Sequence, residues 1–367
     1  MGFRLNRAVG VMMNRRKFIG LAGTAALALA GARLAGHAID PAEVPEVPVG
    51  GWGGLTPNKD FYTYSYAGTQ RVSPNSWRLK IHGLVANPFE LDLAAIKALP
   101  SVTETLTLEC ISNPPGGPAI SNASWVGPKL KPLVERARPT GKAVYAALRG
   151  ADGYTSGVPL DELMREENFL PFLMNGVPLP PEHGYPLRIL IPGKYGMKQP
   201  KWLTEIEFLD HEFLGFGEVR GWSNSAWRKV NSGFFYPQES SLSRLARRAA
   251  MRLGPRFDGL LDRIVPEATV IAPVEMVGWA VAGRSGIKRV DISTDDGATW
   301  TAAELLENHS PYVWTVWKYR FAPRRSGRYR VRVCATDGNG RSQPVSDAES
   351  QTGMSAQPRV ELAVTMA

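Results

Sequence analysis

A lone cysteine at the end of a strand-like run, followed at once by prolines and glycines, constrains this chain more than any other feature. Leu106 and Leu108 alternate as apolar residues do in a strand, and Cys110 stands where the alternation stops. Asn113-Pro114-Pro115-Gly116-Gly117 comes next and can continue neither a strand nor a helix. The stretch 105–130 is therefore predicted to present one thiol from a rigid strand into a constrained loop. A sulfur held that way suits a metal, because a loop alone would leave its position undefined. The plainer alternative is a buried structural cysteine.

Cys110 and Cys334 are the only cysteines, so one disulfide is arithmetically open and a disulfide framework is not. The five histidines, His37, His82, His183, His211 and His309, are scattered, and no HxH, HExxH or CxxC occurs. A zinc site built from protein alone is not expected. A metal at Cys110 must then draw most of its donors from elsewhere. The formal charge is +9, but Arg4, Arg7, Arg15, Arg16, Lys17 and Arg33 precede residue 39 without an acid, and 9 − 6 leaves +3. No stripe of basic and aromatic residues remains to call for nucleic acid.

Residues 1–38 read as a signal segment: Arg15-Arg16-Lys17-Phe18 precedes an apolar run over 21–32, then small residues. The paired arginines followed by Phe resemble a twin-arginine signal, which predicts export to the periplasm or an equivalent compartment in the folded state. An ordinary secretory signal or an uncleaved anchor is the alternative, although the apolar run is short for a membrane span.

In the mature chain, 39–57 reads as an extended surface segment. Strands are expected over 77–83, 143–149, 187–191 and 202–209, and helices over 91–99, 129–137 and 160–167; a further apolar run covers 169–174. Loops rich in Gly and Pro frame the run 187–191 and hold His183, Arg188, Lys194, Lys198 and Lys201. Cations on stiff loops at both ends of one strand are expected to converge on an anion, most simply a phosphate; solvated surface lysines are the alternative. Leu242, Leu245, Ala246, Ala249 and Leu253, with arginines opposite, predict a basic amphipathic helix over 241–253 that covers its own protein, or lies on an acidic surface or partner. From about Pro266, short strands at even spacing predict an immunoglobulin-like sandwich. Cys334 shares the parity of Arg330 and Arg332 on the more exposed face of its strand, in a different domain from Cys110, so the two are not expected to pair.

Together, LECISNPPGG at 108–117, WVGPKL at 125–130, GYTS at 153–156, MNGVPLPPEHG at 174–184 and PGKYGMK at 192–198 resemble the sulfite oxidase family of molybdopterin enzymes. IKRVDISTDDGATW at 287–300 is similar to that family's dimerisation domain. The resemblance implies an α+β fold: a mixed, β-rich molybdopterin-binding domain over 39–236, a basic linker over 237–262, an immunoglobulin-like sandwich over 263–352 and a tail over 353–367. It implies one molybdenum–molybdopterin per chain with Cys110 as the thiolate on the metal. A soft thiolate suits such a centre. By motif position it implies that His183 and Arg188 contact the pterin and its phosphate, that Lys198, Gln199, Pro200 and Lys201 clasp the phosphate, and that Tyr62, Thr63 and Arg149 touch the cofactor. Tyr195 and His183 are the polar groups first expected near substrate.

One departure bears on the substrate. Sulfite-oxidising members commonly carry arginines just after the cysteine; Asn113-Pro114-Pro115 stands there here, which weakens the case for a dianion such as sulfite. The chain is thus expected to be an exported oxidoreductase moving an oxygen atom to or from a small sulfur- or nitrogen-containing molecule. No CxxCH is present for covalent haem, so electrons are expected to pass through a separate carrier such as a cytochrome or a membrane haem protein. The C-terminal domain is expected to form a homodimer or to dock a partner. A cofactor-free binding protein that keeps the fold is the reading from another class.

Overall fold

The computed structural model describes residues 54–237 and 268–366, apart from Glu307, His309 and Glu349. The expected leader over 1–38 and basic helix over 241–253 lie outside the described residues. The chain divides into two units, Met1–Pro45 with Glu239–Val270, and Glu46–Gln238 with Ile271–Ala367. Of the first, only Ala268–Val270 are described, as the start of a strand. The second holds every other described residue.

The first half of the second unit is built on two sheets. In chain order the strands are β1 (Leu79–Gly83), β2 (Phe89–Leu91), β3 (Ser101–Glu109), β4 (Ile120–Pro128), β5 (Tyr145–Gly150), β6 (Thr155–Pro159), β7 (Leu173–Met174), β8 (Val177–Pro178) and β9 (Leu203–Leu209). One sheet has the order β2-β1-β9-β5-β6, with β1 and β9 parallel and its other pairs antiparallel. Its alternation separates two faces. Leu79, Ile81, Ala146, Leu148, Ile206 and Phe208 point into the main core. On the other parity, Arg149 stands opposite Glu205 and Lys80 opposite Glu205 in register. Helices α1 (Leu93–Lys97) and α2 (Lys131–Ala137) cover the core face with Leu93, Ile96, Leu133 and Val134.

The second sheet has the order β3-β4-β7-β8. Strands β3 and β4 form a hairpin in register from Ser101 opposite Pro128 to Glu109 opposite Ile120. Cys110 is thus the first residue of the hairpin loop, directly after the last laddered pair. Leu106, Leu108, Ala123 and Trp125 pack beneath it with Phe61 and Phe169.

The second half is a two-sheet β-sandwich. Its strands are β10 (Asn231–Tyr236), β11 (Ala268–Ala272), β12 (Val274–Val281), β13 (Ile287–Ser293), β14 (Thr301–Ala302), β15 (Glu304–Leu305), β16 (Thr315–Phe321), β17 (Gly327–Asp337) and β18 (Arg359–Met366). The sheets run β10-β12-β16-β15 and β11-β18-β17-β13-β14. Strand β12 is buried nearly throughout. Val277, Trp279 and Val281 pack with Ile120 of the cysteine hairpin, and Gly278 lies under the Trp317 ring, with no room for a Cβ.

The observed class is the expected α+β, strand-rich with short helices. Several local expectations change. The helix expected over 160–167 stops at Leu163, because the Asn168 side chain donates to the carbonyls of Glu162 and Leu163 at 2.8 and 3.0 Å and ends it. Asp92, expected inside the first turn of its helix, is the N-cap and accepts from Ala95 N at 2.8 Å. The run 187–191 is extended but joins no sheet. Its neighbours are interrupted by Pro171 and Pro200, which bring carbonyls but no donors, and only Leu190 forms a bridge, with Phe169. The stretch expected as a tail, 353–367, contains β18, paired with β17 from Gly327 opposite Val364 to Arg332 opposite Arg359. Strand β10, assigned by sequence to the first domain, instead pairs with β12 of the sandwich. Cys110 and Cys334 are both free thiols.

Candidate active site

The cysteine loop opens with a turn closed by Asn113 N donating to Cys110 O at 3.0 Å, while Cys110 N donates to Ala119 O at 3.0 Å. Asn113 is buried and its side chain faces inward: Nδ2 donates to Glu109 Oε1 at 3.1 Å and Oδ1 accepts from Ala119 N at 2.9 Å. Asn231 Nδ2 adds a donor to Glu109 Oε1 at 2.6 Å. Burial raises the pKa of the Glu109 carboxyl, opposed by the nearby Arg228 charge and the two asparagines. Arg228 Nη1 donates to Thr107 O at 2.7 Å. Thr107 also receives the sandwich: its Oγ1 accepts from Trp314 N at 2.8 Å, and its N donates to Tyr312 O at 3.1 Å. The strand that carries the thiol is therefore gripped by the C-terminal half of the chain.

Cys110 faces a cavity whose walls come from the segment 61–66, the turn at Asp152–Tyr154, the loop 182–201 and the segment 216–222. Tyr62 shares the cavity wall with the thiol and Arg188. Burial pushes its phenol pKa well up, a negative sulfur adds to the rise, and Arg188 opposes it. Thr63 lines the same wall. Opposite, Tyr154 donates to Met197 O at 2.8 Å, and Phe216 packs between Tyr154 and Tyr66.

Of the five basic residues expected to converge, three reach the cavity. His183 is buried, with Nε2 2.8 Å from Asn58 O; burial lowers its pKa, so the ring is neutral and donates from Nε2. Arg188 is buried over the Trp125 ring, and burial drops its pKa to about 10. Its Nη1 and Nη2 donate to His183 O and Gln199 O at 3.2 and 3.4 Å, and Nε has no partner. Lys201 donates to Glu182 O at 2.8 Å, and burial, with Arg188 nearby, drops its pKa to about 8. Among the described residues, neither Arg188 nor Lys201 has a carboxylate within ion-pair distance.

The other expected residues are placed differently. Lys194 pairs with Glu162 at 2.6 Å and lies over the Trp227 ring. Lys198 pairs with Glu218 and also donates to Asn224 Oδ1 and Gly157 O at 2.8 Å. Neither lines the cavity; each is instead paired with an acid, the partly exposed Glu162 or the buried Glu218. Arg149 lies on the outer sheet face with Glu207 at 2.6 Å and Glu205 at 3.5 Å, away from the cavity. Tyr195 is buried behind Ile111 and accepts from Lys229 N at 3.1 Å, so it does not line the cavity. Gln199 and Pro200 do line it, although the Gln199 amide is spent on Ile191 N, Lys194 O and Tyr195 O.

Sequence reasoning missed Tyr154, Phe216, Trp222 and the Glu109–Arg228–Asn231 brace. Tyr154 lay inside a recognisable motif without a role; the segment 216–222 has no periodicity to mark it. Among the described residues, no three His, Cys, Asp or Glu side chains form a metal cluster. The donor set is one thiol, backed by the buried Arg188 and the half-buried Lys201, neither of which forms an ion pair among the described residues. That suits a group that brings its own metal ligands and its own anionic charge.

The family of the oxidoreductase molybdopterin binding domain matches residues 66–217, and that of the Mo-co oxidoreductase dimerisation domain matches 261–365. The chain is 27% identical to the mitochondrial sulfite oxidase of Drosophila melanogaster over 79% of its own length, and spans 55% of that protein. It is 34% identical to an uncharacterized oxidoreductase of Bacillus subtilis over 40% of its length, covering 72% of that protein. Its fold is similar to that of the sulfane dehydrogenase SoxCD of Paracoccus pantotrophus, with a TM-score of 0.68, 21% identity, and coverage of 86% of this chain and 84% of that one. With the thiol, the cations and both domains in this order, the chain belongs to the sulfite oxidase family of molybdopterin-dependent oxidoreductases.

Proposed function

We propose that this chain binds one molybdenum–molybdopterin and catalyses two-electron oxygen-atom transfer on a small sulfur- or nitrogen-containing molecule. The observation that carries the reading is a thiol facing a cavity that also holds the buried Arg188 and the half-buried Lys201, neither in an ion pair among the described residues. When bound, the cofactor supplies a centre that gives or takes an oxygen atom with two electrons. Cys110 would ligate its metal. Arg188 and Lys201 would hold its phosphate, and Arg188 Nε, which has no partner, is a donor ready for that anion. Tyr62, Thr63 and the neutral His183 would line the pterin side.

The chain's own residues bear on the substrate. The Asn113 amide is turned away to Glu109 and Ala119, and prolines come after it, so no cation stands after the cysteine to meet a dianion. Tyr154, Phe216 and Trp222 make the remaining wall aromatic. This arrangement favours an uncharged S-oxide or N-oxide, or its reduced partner, over sulfite. Export by the twin-arginine route, a homodimer through the sandwich, and a separate haem-bearing electron carrier complete the proposal.

The test is metal and pterin analysis of protein matured in its own host, with turnover of sulfoxides, N-oxides and sulfite under an artificial mediator. Near-stoichiometric molybdenum, and loss of turnover in Cys110→Ser, are expected. Wild-type protein with neither molybdenum nor pterin sinks the enzymatic reading and favours a cofactor-free binding protein.

A further inference from the structure

The turn that carries Cys110 also sets a hydroxyl against its sulfur. Ser112 Oγ lies 3.1 Å from Cys110 Sγ. A metal-bound thiolate has no proton to give, so in that state only the serine O–H donates. The contact is more than two loose side chains meeting. The bond from Asn113 N to Cys110 O closes the backbone around residues 111 and 112. Asn113 is tied in turn to Glu109 and Ala119, and Ile111 is buried against Tyr195 and Ala226. With the backbone anchored on both sides, only one side-chain torsion decides where the hydroxyl points. Among the described residues, no other side chain hydrogen-bonds this sulfur.

We propose that Ser112 tunes the reduction potential of the metal centre by donating a hydrogen bond to the Cys110 thiolate; this rests on Cys110 being the molybdenum ligand. Such a bond withdraws electron density from the sulfur and weakens its donation to the metal. That favours the reduced, electron-richer state and raises the potential. Ser112 is a positioning residue here. It acts through the sulfur, and its loss leaves the ligand in place.

The test is a redox titration of holoenzyme followed by electron paramagnetic resonance of the molybdenum, without substrate, on wild type, Ser112→Ala, Ser112→Gly and Ser112→Thr. Both deletions are expected to move the molybdenum couples to more negative potential, while Thr, which keeps the hydroxyl, stays at the wild-type value. Metal content and melting temperature should be unchanged, since the position is exposed and Ala and Gly both fit the turn. Potentials that do not move in Ala and Gly overturn the proposal. So does loss of metal from both with retention in Thr, which would make the hydroxyl an anchor and not a tuner. A wild-type protein without any molybdenum signal overturns the cofactor reading instead, so the two failures are distinguishable.

Discussion

Two kinds of buried cation come from the same stretch of chain, 182–201. Lys194 and Lys198 have almost no exposed side-chain surface and each meets a carboxylate, Glu162 and Glu218. Arg188 is buried and Lys201 half-buried, yet their direct contacts are backbone carbonyls and aromatic rings, with Asp152 and Glu182 acting on Lys201 only from beyond ion-pair distance. Burial lowers the pKa of all four, but in the first pair the acids push back, and for Arg188 and Lys201 they do so little or not at all. A buried charge with its own acid is part of the fold. One without an acid costs stability until something anionic arrives, and that asymmetry marks a binding site better than charge counting does.

The same substitution on the two sides should therefore have opposite results. Lys198→Met strands Glu218 as a buried carboxylate and should destabilise the protein by about 3–5 kcal/mol in denaturant melts. Arg188→Met removes a charge that has no acid. The cofactor-free protein should be at least as stable, by up to about 1–4 kcal/mol, while molybdenum and pterin content collapse. Equal destabilisation by both variants would erase the distinction.

The pH dependence gives a finer probe. Burial depresses Lys201 to about 8, below an unfolded lysine, so above that pH the unfolded chain holds a proton that the native chain has released. Stability of the cofactor-free protein should then rise with pH from about 8 to about 10.5, where the unfolded lysine also titrates. Affinity for phosphate or pyrophosphate should fall over the same window as the charge is lost. Lys201→Met should flatten both curves, read by melts and by anion titration. The smallest effect is expected at Arg149. It is a third exposed and paired with Glu205 and Glu207, so Arg149→Met should cost no more than about 1 kcal/mol and leave cofactor content intact.

How much of this was legible in the sequence depended on the reach of the interaction. The placement of Cys110 at the end of β3 came from alternation and from the prolines behind it, both local. The strands expected over 77–83 and 202–209, observed as β1 and β9, were equally local. Arg188, His183 and Lys201 were found because glycine and proline stiffen their loops. Lys194 and Lys198 looked the same in sequence, because nothing in a one-dimensional pattern says that Glu162 and Glu218 lie beside them. Arg149 was misplaced for a related reason: its parity within β5 was readable, but which sheet face meets the cavity was not.

The amino-acid order by itself determined the thiol, the constrained loop behind it, the lack of a cation after the cysteine and the β-rich character of the C-terminal half. Each of these depends on neighbours a few residues apart. Only the tertiary structure decided which cations form ion pairs, that β10 and β18 complete the sandwich sheets, and that the sandwich grips the cysteine strand through Thr107. Those outcomes depend on contacts between segments far apart in the chain, where burial sets the energy and the sequence pattern carries no record of it.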